Sequence, residues 1–381
     1  MTQHLSYKLY TSVSEFPSEW GTIAAKNIFL SREGLTVLEK AAPKNMKCHF
    51  VGIFKNDVLE GIAIIQFIDL ATVTTFKDKG SQFCVREYLF KKFTSHILFI
   101  GNNTLTGQNA YLLSENITET EALQLMREAL HEVEKQYNSK GIKINLLTIK
   151  DFNNTEFPDF SAAGFKHYFK FSTQPNMIFD IQGSWNSIDD YLIDLSKKYR
   201  SQYKRARKKA IGITKKKLTA DEIRIAEERI NELYCTVANR AEFNSFFLPK
   251  NHFETMKREL KDNFLFYGYF IDDKLIGFNT LIKNNSDMDT YFLGYDESIQ
   301  KEKMLYLNML YDMVAYAIKK QYNHVIFSRS AMEIKSSVGA KAEDVYGIIK
   351  HTNPIINLFI SKLFTYFDPK VTWKTRNPFK E

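Results

Sequence analysis

The sequence predicts an α/β (α+β) chain built from two tandem copies of one unit, each a mixed central sheet flanked by helices. Three observations predict it. A strand-turn-strand segment recurs at a constant offset of 216 residues. Both copies then continue with the same succession of strand, helix and strand. The composition, 44% hydrophobic and 25% charged over 381 residues, is that of a globular chain with room for two domains, which excludes collagen, coiled coil and wholesale disorder.

The repeat pairs Phe50, Gly52, Phe54, Asp57, Leu59 and Gly61 with Phe266, Gly268, Phe270, Asp273, Leu275 and Gly277. Each copy reads as a strand, a tight Asn-Asp or Asp-Asp turn, and a second strand, so 47–70 and 263–284 are expected to be equivalent hairpins. Each copy goes on to a strand ending in aromatic-aliphatic-Gly (Phe99 to Gly101; Phe292 to Gly294). An amphipathic helix follows, over Glu119 to Tyr137 and Glu302 to Tyr322, then Gln-Tyr-Asn and an apolar strand (Ile142 to Ile149; His324 to Phe327). The apolar stripes of these helices are core.

A strand over Met177 to Ile181 runs into Gly183, which sets the expected division into a first domain, 1–182, and a second, 183–381. A helix over about 187–210 opens the second. Ser187 with Asp190 starts it, Leu192, Leu195, Tyr199, Tyr203, Ala206 and Ala210 form its apolar stripe, and Gly212 stops it. Charge concentrates here. Eleven basic residues and no acidic one lie between Ser196 and Ala220, so with a total of +8 the rest of the chain sums to −3. The protein carries one basic element on an otherwise slightly acidic body.

Cys48, Cys84 and Cys235 are too few and too scattered for a disulfide framework or a zinc site, and read as small buried residues of a reducing compartment. The eight histidines have no ligand spacing, so no metal is expected. No apolar run reaches membrane-spanning length and the start lacks the order of a secretory signal, so the cytoplasm is expected. The apolar segment Ile355 to Phe367 reads as a helix packed on the second domain, or as a peripheral contact at the inner face of the membrane.

This order of elements, with Lys198-x-Arg200-x-x-x-Lys204-Arg205-Ala206, Asp273-Lys-Leu275-Ile-Gly277, Lys335-Ser-Ser-Val-Gly339 and His351-Thr-Asn-Pro354, resembles the tandem GNAT-fold N-acyltransferases. More closely it is similar to the Fem-like, "peptidoglycan biosynthesis/recognition" group, over about Phe50 to Pro369. The resemblance implies transfer of an acyl, aminoacyl or fatty acyl group from an activated donor to a primary amine on a cell-envelope precursor or lipid. It implies no permanently bound cofactor; acyl-CoA, acyl-carrier protein or aminoacyl-tRNA would serve as co-substrate. The stretch Gly294 to Lys303 lacks the Q/R-x-x-G-x-G/A turn that cradles coenzyme A in ordinary acetyltransferases. The expectation therefore shifts toward a donor carried on tRNA or a carrier protein, or held by another loop.

Arg200 and Lys204 lie one helical turn apart and can address one phosphorylated or lipid-linked substrate, with Lys335 as a further phosphate or carboxylate contact and Tyr295 and Tyr306 as substrate-binding rings. Asp296, just past the Gly294 strand, and His351, with its suitable unperturbed pKa, are the candidate catalytic bases. Two other classes compete: a nucleic-acid-binding protein using 196–220, with Tyr199 and Tyr203 free to stack, and a non-catalytic GNAT pair acting as a binding module.

Overall fold

The computed structural model describes residues 4–73, 81–172, 174–241, 243–367 and 372–380. The side chain of Cys84 and residue Pro369 lie outside this description, whereas Cys48 and Cys235 are half-buried.

The strands in chain order are β1 (Leu5–Tyr10), β2 (Met46–Lys55), β3 (Val58–Asp69), β4 (His96–Ile100), β5 (Tyr111–Leu113), β6 (Leu146–Phe152), β7 (Phe169–Ser172) and β8 (Asn176–Asp180). They continue as β9 (Thr214–Lys217), β10 (Phe264–Ile271), β11 (Lys274–Asn284), β12 (Asp287–Tyr295), β13 (His324–Ile326), β14 (Lys341–Glu343) and β15 (Tyr346–His351). One sheet runs β1-β2-β3-β4-β6-β15-β7 with β5 also on β3; the other runs β14-β8-β13-β12-β11-β10-β9. Both mix parallel and antiparallel pairs.

The repeat closes as two equivalent hairpins, β2–β3 and β10–β11. Asn56 and Asp57 have φ of 52° and 64°, and Asp272 and Asp273 have 46° and 62°. Two left-handed residues in succession give a turn whose twist matches its strands, and Asn and Asp tolerate that region best after Gly. Both hairpins also shift register one step past the repeated glycine pair, at Ile53/Phe54 and at Tyr269/Phe270. The local reason is packing. A Cβ on Gly52 would sit 3.0 Å from the Phe54 ring and 3.2 Å from Leu59; on Gly268 it would sit 2.7 Å from Phe270 and 3.1 Å from Leu275. The repeated Gly, Phe and Leu are thus one small packing unit, used twice.

Of the described residues, the first compact unit takes those in 1–173, 241–249 and 344–370, and the second those in 174–240, 250–343 and 371–381. The units are not two continuous halves. In the first sheet β15, from the end of the second repeat, lies between β6 and β7; in the second, β8, from the end of the first repeat, lies between β13 and β14. The last strand of each repeat is exchanged across the expected 182/183 division. It is held in place by ladders such as Ile349↔Thr148 and Val325↔Phe179, and by the Thr148 hydroxyl donating to the Ile348 carbonyl at 2.7 Å.

In the first unit the helix Glu119–Ser139, begun by a Thr118/Glu121 capping box, lays Leu123, Met126, Ala129, Leu130 and Val133 on the sheet. In the second unit the corresponding helix is Leu305–Lys319, with Leu310, Met313, Val314 and Ile318 inside. The start expected at Glu302 is corrected: a short helix Glu297–Lys303 stops at Met304, whose φ of 49° ends the helical course before Leu305 begins the next. The continuous helix expected over 187–210 is likewise two, Ile188–Asp194 and Lys197–Lys209. The break at Leu195 and Ser196 lets both bond to the chain end, Leu195 bridging Phe379 and Ser196 donating to the Pro378 carbonyl at 2.9 Å.

Candidate active site

The second unit's sheet contains an opening. Strands β12 and β13 pair in parallel only at Asp287–Asp289 against His324–Ile326. From Thr290 to Tyr295, β12 has no described strand on that side. Within this stretch the register against β11 shifts, with Asn279 opposite Leu293 and Leu281 opposite Thr290, so Tyr291 and Phe292 bulge together. A bulge where two neighbouring strands part re-aims backbone groups.

The loop after β13 forms the other wall. Ser328, Ser330 and Ala331 have φ of 58°, 67° and 49°. Non-glycine residues stay there only when their surroundings over-determine them. Lys335 does this: its Nζ donates to the carbonyls of Phe327 (2.7 Å), Ser328 (3.2 Å) and Arg329 (2.7 Å). It is 5% exposed, and burial pushes its ammonium down to about 7. The expected role for Lys335 as a phosphate contact is therefore corrected. An ammonium has three protons, and all three are committed to holding this loop.

Arg200 and Lys204 sit on the outer face of Lys197–Lys209, half-buried and exposed respectively, with no hydrogen-bond or ion-pair partner among the described residues. Other basic residues of the segment are structural. Arg207 reaches Asp312 Oδ1 at 2.8 Å, Lys215 reaches Oδ2 at 3.3 Å, and the Tyr269 hydroxyl donates to Oδ2 at 2.9 Å. The Arg207 guanidinium also lies 5.0 Å from the centre of the Tyr203 ring. Lys216 pairs with Glu222 and Lys217 with Asp262. The run thus separates into cations that bind the fold and cations left available.

Tyr295, at the end of β12, and Tyr306, on the first turn of Leu305–Lys319, come together with ring centres 6.0 Å apart. The Arg240 guanidinium lies 5.8 Å from the Tyr295 ring centre. Burial holds the Tyr306 hydroxyl protonated well above its ordinary range.

Neither expected base survives inspection. Asp296 caps the Glu297–Lys303 helix, accepting from Ser298 N (3.1 Å), Ser298 Oγ (2.6 Å) and Arg229 Nη2 (2.7 Å). The Ser298 hydroxyl bond and then Arg229 hold its carboxyl below the usual range, which leaves a weak base. Its negative charge also occupies the Ser298 amide at that turn, where a diphosphate would meet like charge. His351 belongs to the first unit, 2% exposed. Its Nε2 lies 3.0 Å from the Phe93 carbonyl, to which it donates as the neutral tautomer, while Nδ1 accepts from Asn353 N at 2.9 Å. Desolvation lowers its pKa. Both nitrogens are structural.

Sequence reasoning missed Asp289 and Asn279. Asp289 stands on the last paired rung before β12 and β13 part, 8% exposed, with the Asn284 amide at 3.3 Å. Burial pushes its carboxyl up to about 7. Asn279 is fully buried beside the bulge, and neither its amide oxygen nor its amide nitrogen has a partner among the described residues. For Asn279 the signal was a polar residue within the mostly apolar run Leu275 to Ile282, where buried amides are rare, whereas Asp289, in the polar start of β12, carried none.

The fold is a tandem GNAT-like fold of the Fem type. The solved structure of FemX superposes with a TM-score of 0.54 at 11% identity, covering 97% of this chain and 100% of that one. A tandem GNAT protein from the clavulanic acid biosynthesis pathway gives 0.50 at 10% identity, with 92% and 99% covered. A conserved protein of unknown function from Bacteroides thetaiotaomicron gives 0.50 at 12%, with 90% and 98% covered. No family model matches the chain, and no curated protein matches it by sequence.

Proposed function

We propose that the protein is an N-acyltransferase that moves an acyl, aminoacyl or fatty acyl group from an activated donor to a primary amine on a phosphorylated or lipid-linked cell-envelope precursor or lipid. The observation that carries this is the parting of β12 from β13 after Asp289, a buried acid raised toward neutrality, in a tandem GNAT-like fold. An extended donor arm can lie where β12 and β13 part and bring its thioester or ester carbonyl to the bulge. The amine attacks that carbonyl, Asp289 takes the proton the nitrogen gives up, and the thiolate or alkoxide leaves. Little covalent machinery is needed, because positioning and preorganised dipoles supply most of such an acceleration. Arg200 and Lys204 clamp the phosphorylated substrate, and Tyr295 and Tyr306 line its path. The Asp296 carboxylate at the turn after β12 favours a donor whose phosphates, if any, lie elsewhere, such as an acyl-carrier protein or aminoacyl-tRNA.

The nucleic-acid reading loses its stacking platform, since Tyr199 is 6% exposed and Tyr203 lies beneath Arg207.

A donor screen tests the proposal: purified protein is given acyl-CoA, acyl-carrier protein or aminoacyl-tRNA with candidate amines, and the product is followed by mass. Transfer from one donor is expected. With that substrate, Arg200→Ala should weaken transfer by about 1.5–3 kcal/mol, the worth of a charge-assisted hydrogen bond, and Lys208→Ala should do less. No transfer from any donor class would leave a binding module; equal losses at every basic position would restore the nucleic-acid reading.

A further inference from the structure

The end of the first unit where β15 leaves the sheet is apolar and basic at once. Asn353 caps the short helix Pro354–Asn357, accepting from Ile355 N and Ile356 N, and the helix Ile360–Phe367 follows. Ile360 and Phe364 turn inward, joining Phe90, Ile97, Leu146 and Phe171 in one cluster. The residues between stand outward: Ile355 is 70% exposed, Leu358 79% and Phe359 52%. Eight large hydrophobic side chains among the described residues are more than half exposed, and three of them fall here within one turn and its link. Ordinary surface scatter does not gather them so.

Hydrogen bonds tie this corner to three other segments of the same unit. Thr352 N donates to the Asn145 carbonyl at 2.9 Å, Asn357 Nδ2 to the His167 carbonyl at 2.9 Å, and His351 meets the Phe93 carbonyl. The four stretches so joined, 88–100, 138–150, 160–172 and 345–367, contain no Asp or Glu, in a chain that has 44. They present Lys92, Lys143, Lys166 and Lys362, all exposed, and Tyr88, 62% exposed with Lys92 over its ring. Acids flank them in sequence at Glu87, Asp151, Asp159, Asp344 and Asp368; Glu87 stands against Lys91 and Asp151 against Lys150, and Asp69 stands against His96.

We propose that this corner docks on the surface of an anionic lipid bilayer, with Ile355, Leu358 and Phe359 entering the headgroup boundary and the surrounding lysines facing the lipid charge. Side chains that stand clear of the body suit a fluid layer that closes around them, and lysines at that depth add attraction to anionic headgroups. No helix among the described residues is long and apolar enough to cross a membrane. The attachment proposed is peripheral, made by side chains at the surface of the first unit. It stands independently of the transfer chemistry and is measured without any substrate.

The test is vesicle flotation of the full chain, with phosphatidylcholine alone or with about 30% phosphatidylglycerol, at about 0.1 M and 0.5 M salt. Binding only to the anionic vesicles is expected, weakened at high salt. Leu358→Glu combined with Phe359→Glu should lower it about tenfold or more, with an unchanged melting temperature because both side chains are already in water. Lys143→Glu with Lys166→Glu should act in the same direction. The proposal is overturned by binding that ignores these substitutions, by loss of binding through Lys208→Glu and Lys209→Glu instead, or by no binding to either vesicle. It is also overturned if the Leu358/Phe359 variant converts a dimer to a monomer in sedimentation, which would give the surface to a second copy.

Discussion

Asp289 carries a measurable signature that does not depend on knowing the substrate. Its carboxyl moves from the ordinary 3.8 to about 7 because the folded sheet withholds water from the charged form. Below pH 4 the folded and unfolded chains are both protonated there. As the pH rises toward 7 the unfolded chain releases the proton while the folded one keeps it, so stability falls across that window and then levels. Asp289→Asn removes the titration and keeps the shape. The stability of the Asn variant relative to the parent should grow by on the order of 4 kcal/mol between pH 4 and 8, at 1.36 kcal/mol per unit. Urea unfolding at several pH values measures it, and a gap that does not change with pH would show Asp289 titrating normally. The same contrast between environment and residue type explains Lys335, expected from the sequence as a phosphate or carboxylate contact and found as the peg of a strained loop.

Among the elements, the exchanged strands decide how each sheet is completed. A fragment of residues 1–182 holds β1 to β8 but lacks β15, so Ile149 and Thr148 of β6 would lose the partners Ile348 and Ile349. The cluster of Ile97, Leu146, Ile349 and Ile360 would lose the members that come from beyond the cut. An open apolar edge is unstable and aggregates. The fragment is expected to melt well below the full chain or to associate, and a peptide of residues 343–367 added in trans should raise its melting temperature. A fragment as stable alone as in the full chain would show that β15 contributes little. The hairpins β2–β3 and β10–β11, by contrast, are local, and their turns and glycine packing were legible residue by residue. The two helices that broke, at Ser196 and at Met304, were not. Each break answers to something remote or conformational: the chain end at Pro378, and a left-handed residue with no glycine to announce it.

At the scale of the whole molecule, each compact unit is completed by a strand from the other repeat's stretch of sequence, β15 in the first and β8 in the second. The distribution of charge also belongs to this scale. The basic segment anchors the second unit through Arg207, Lys215 and Asp312 and leaves Arg200 and Lys204 available, while the acid-free stretches gather at one end of the first unit.

The sequence by itself determined the duplication, the hairpins, the apolar faces of the long helices and the basic helix, since each depends on periodicity or on turn chemistry within a few residues. It also brought Tyr295 and Tyr306 into consideration, which the fold sets 6.0 Å apart. Only the tertiary structure decided which carboxyl is raised toward neutrality, because that is set by burial, and burial comes from residues distant in the chain. Asp296 and His351 were attractive by residue type and position, yet their neighbours commit them to capping and to backbone. The exchange of β8 and β15 was equally invisible, because a strand's pattern states that it will pair but not which sheet it will enter; the ladders that settle it join residues about 200 positions apart, as the Thr148 to Ile348 hydrogen bond does.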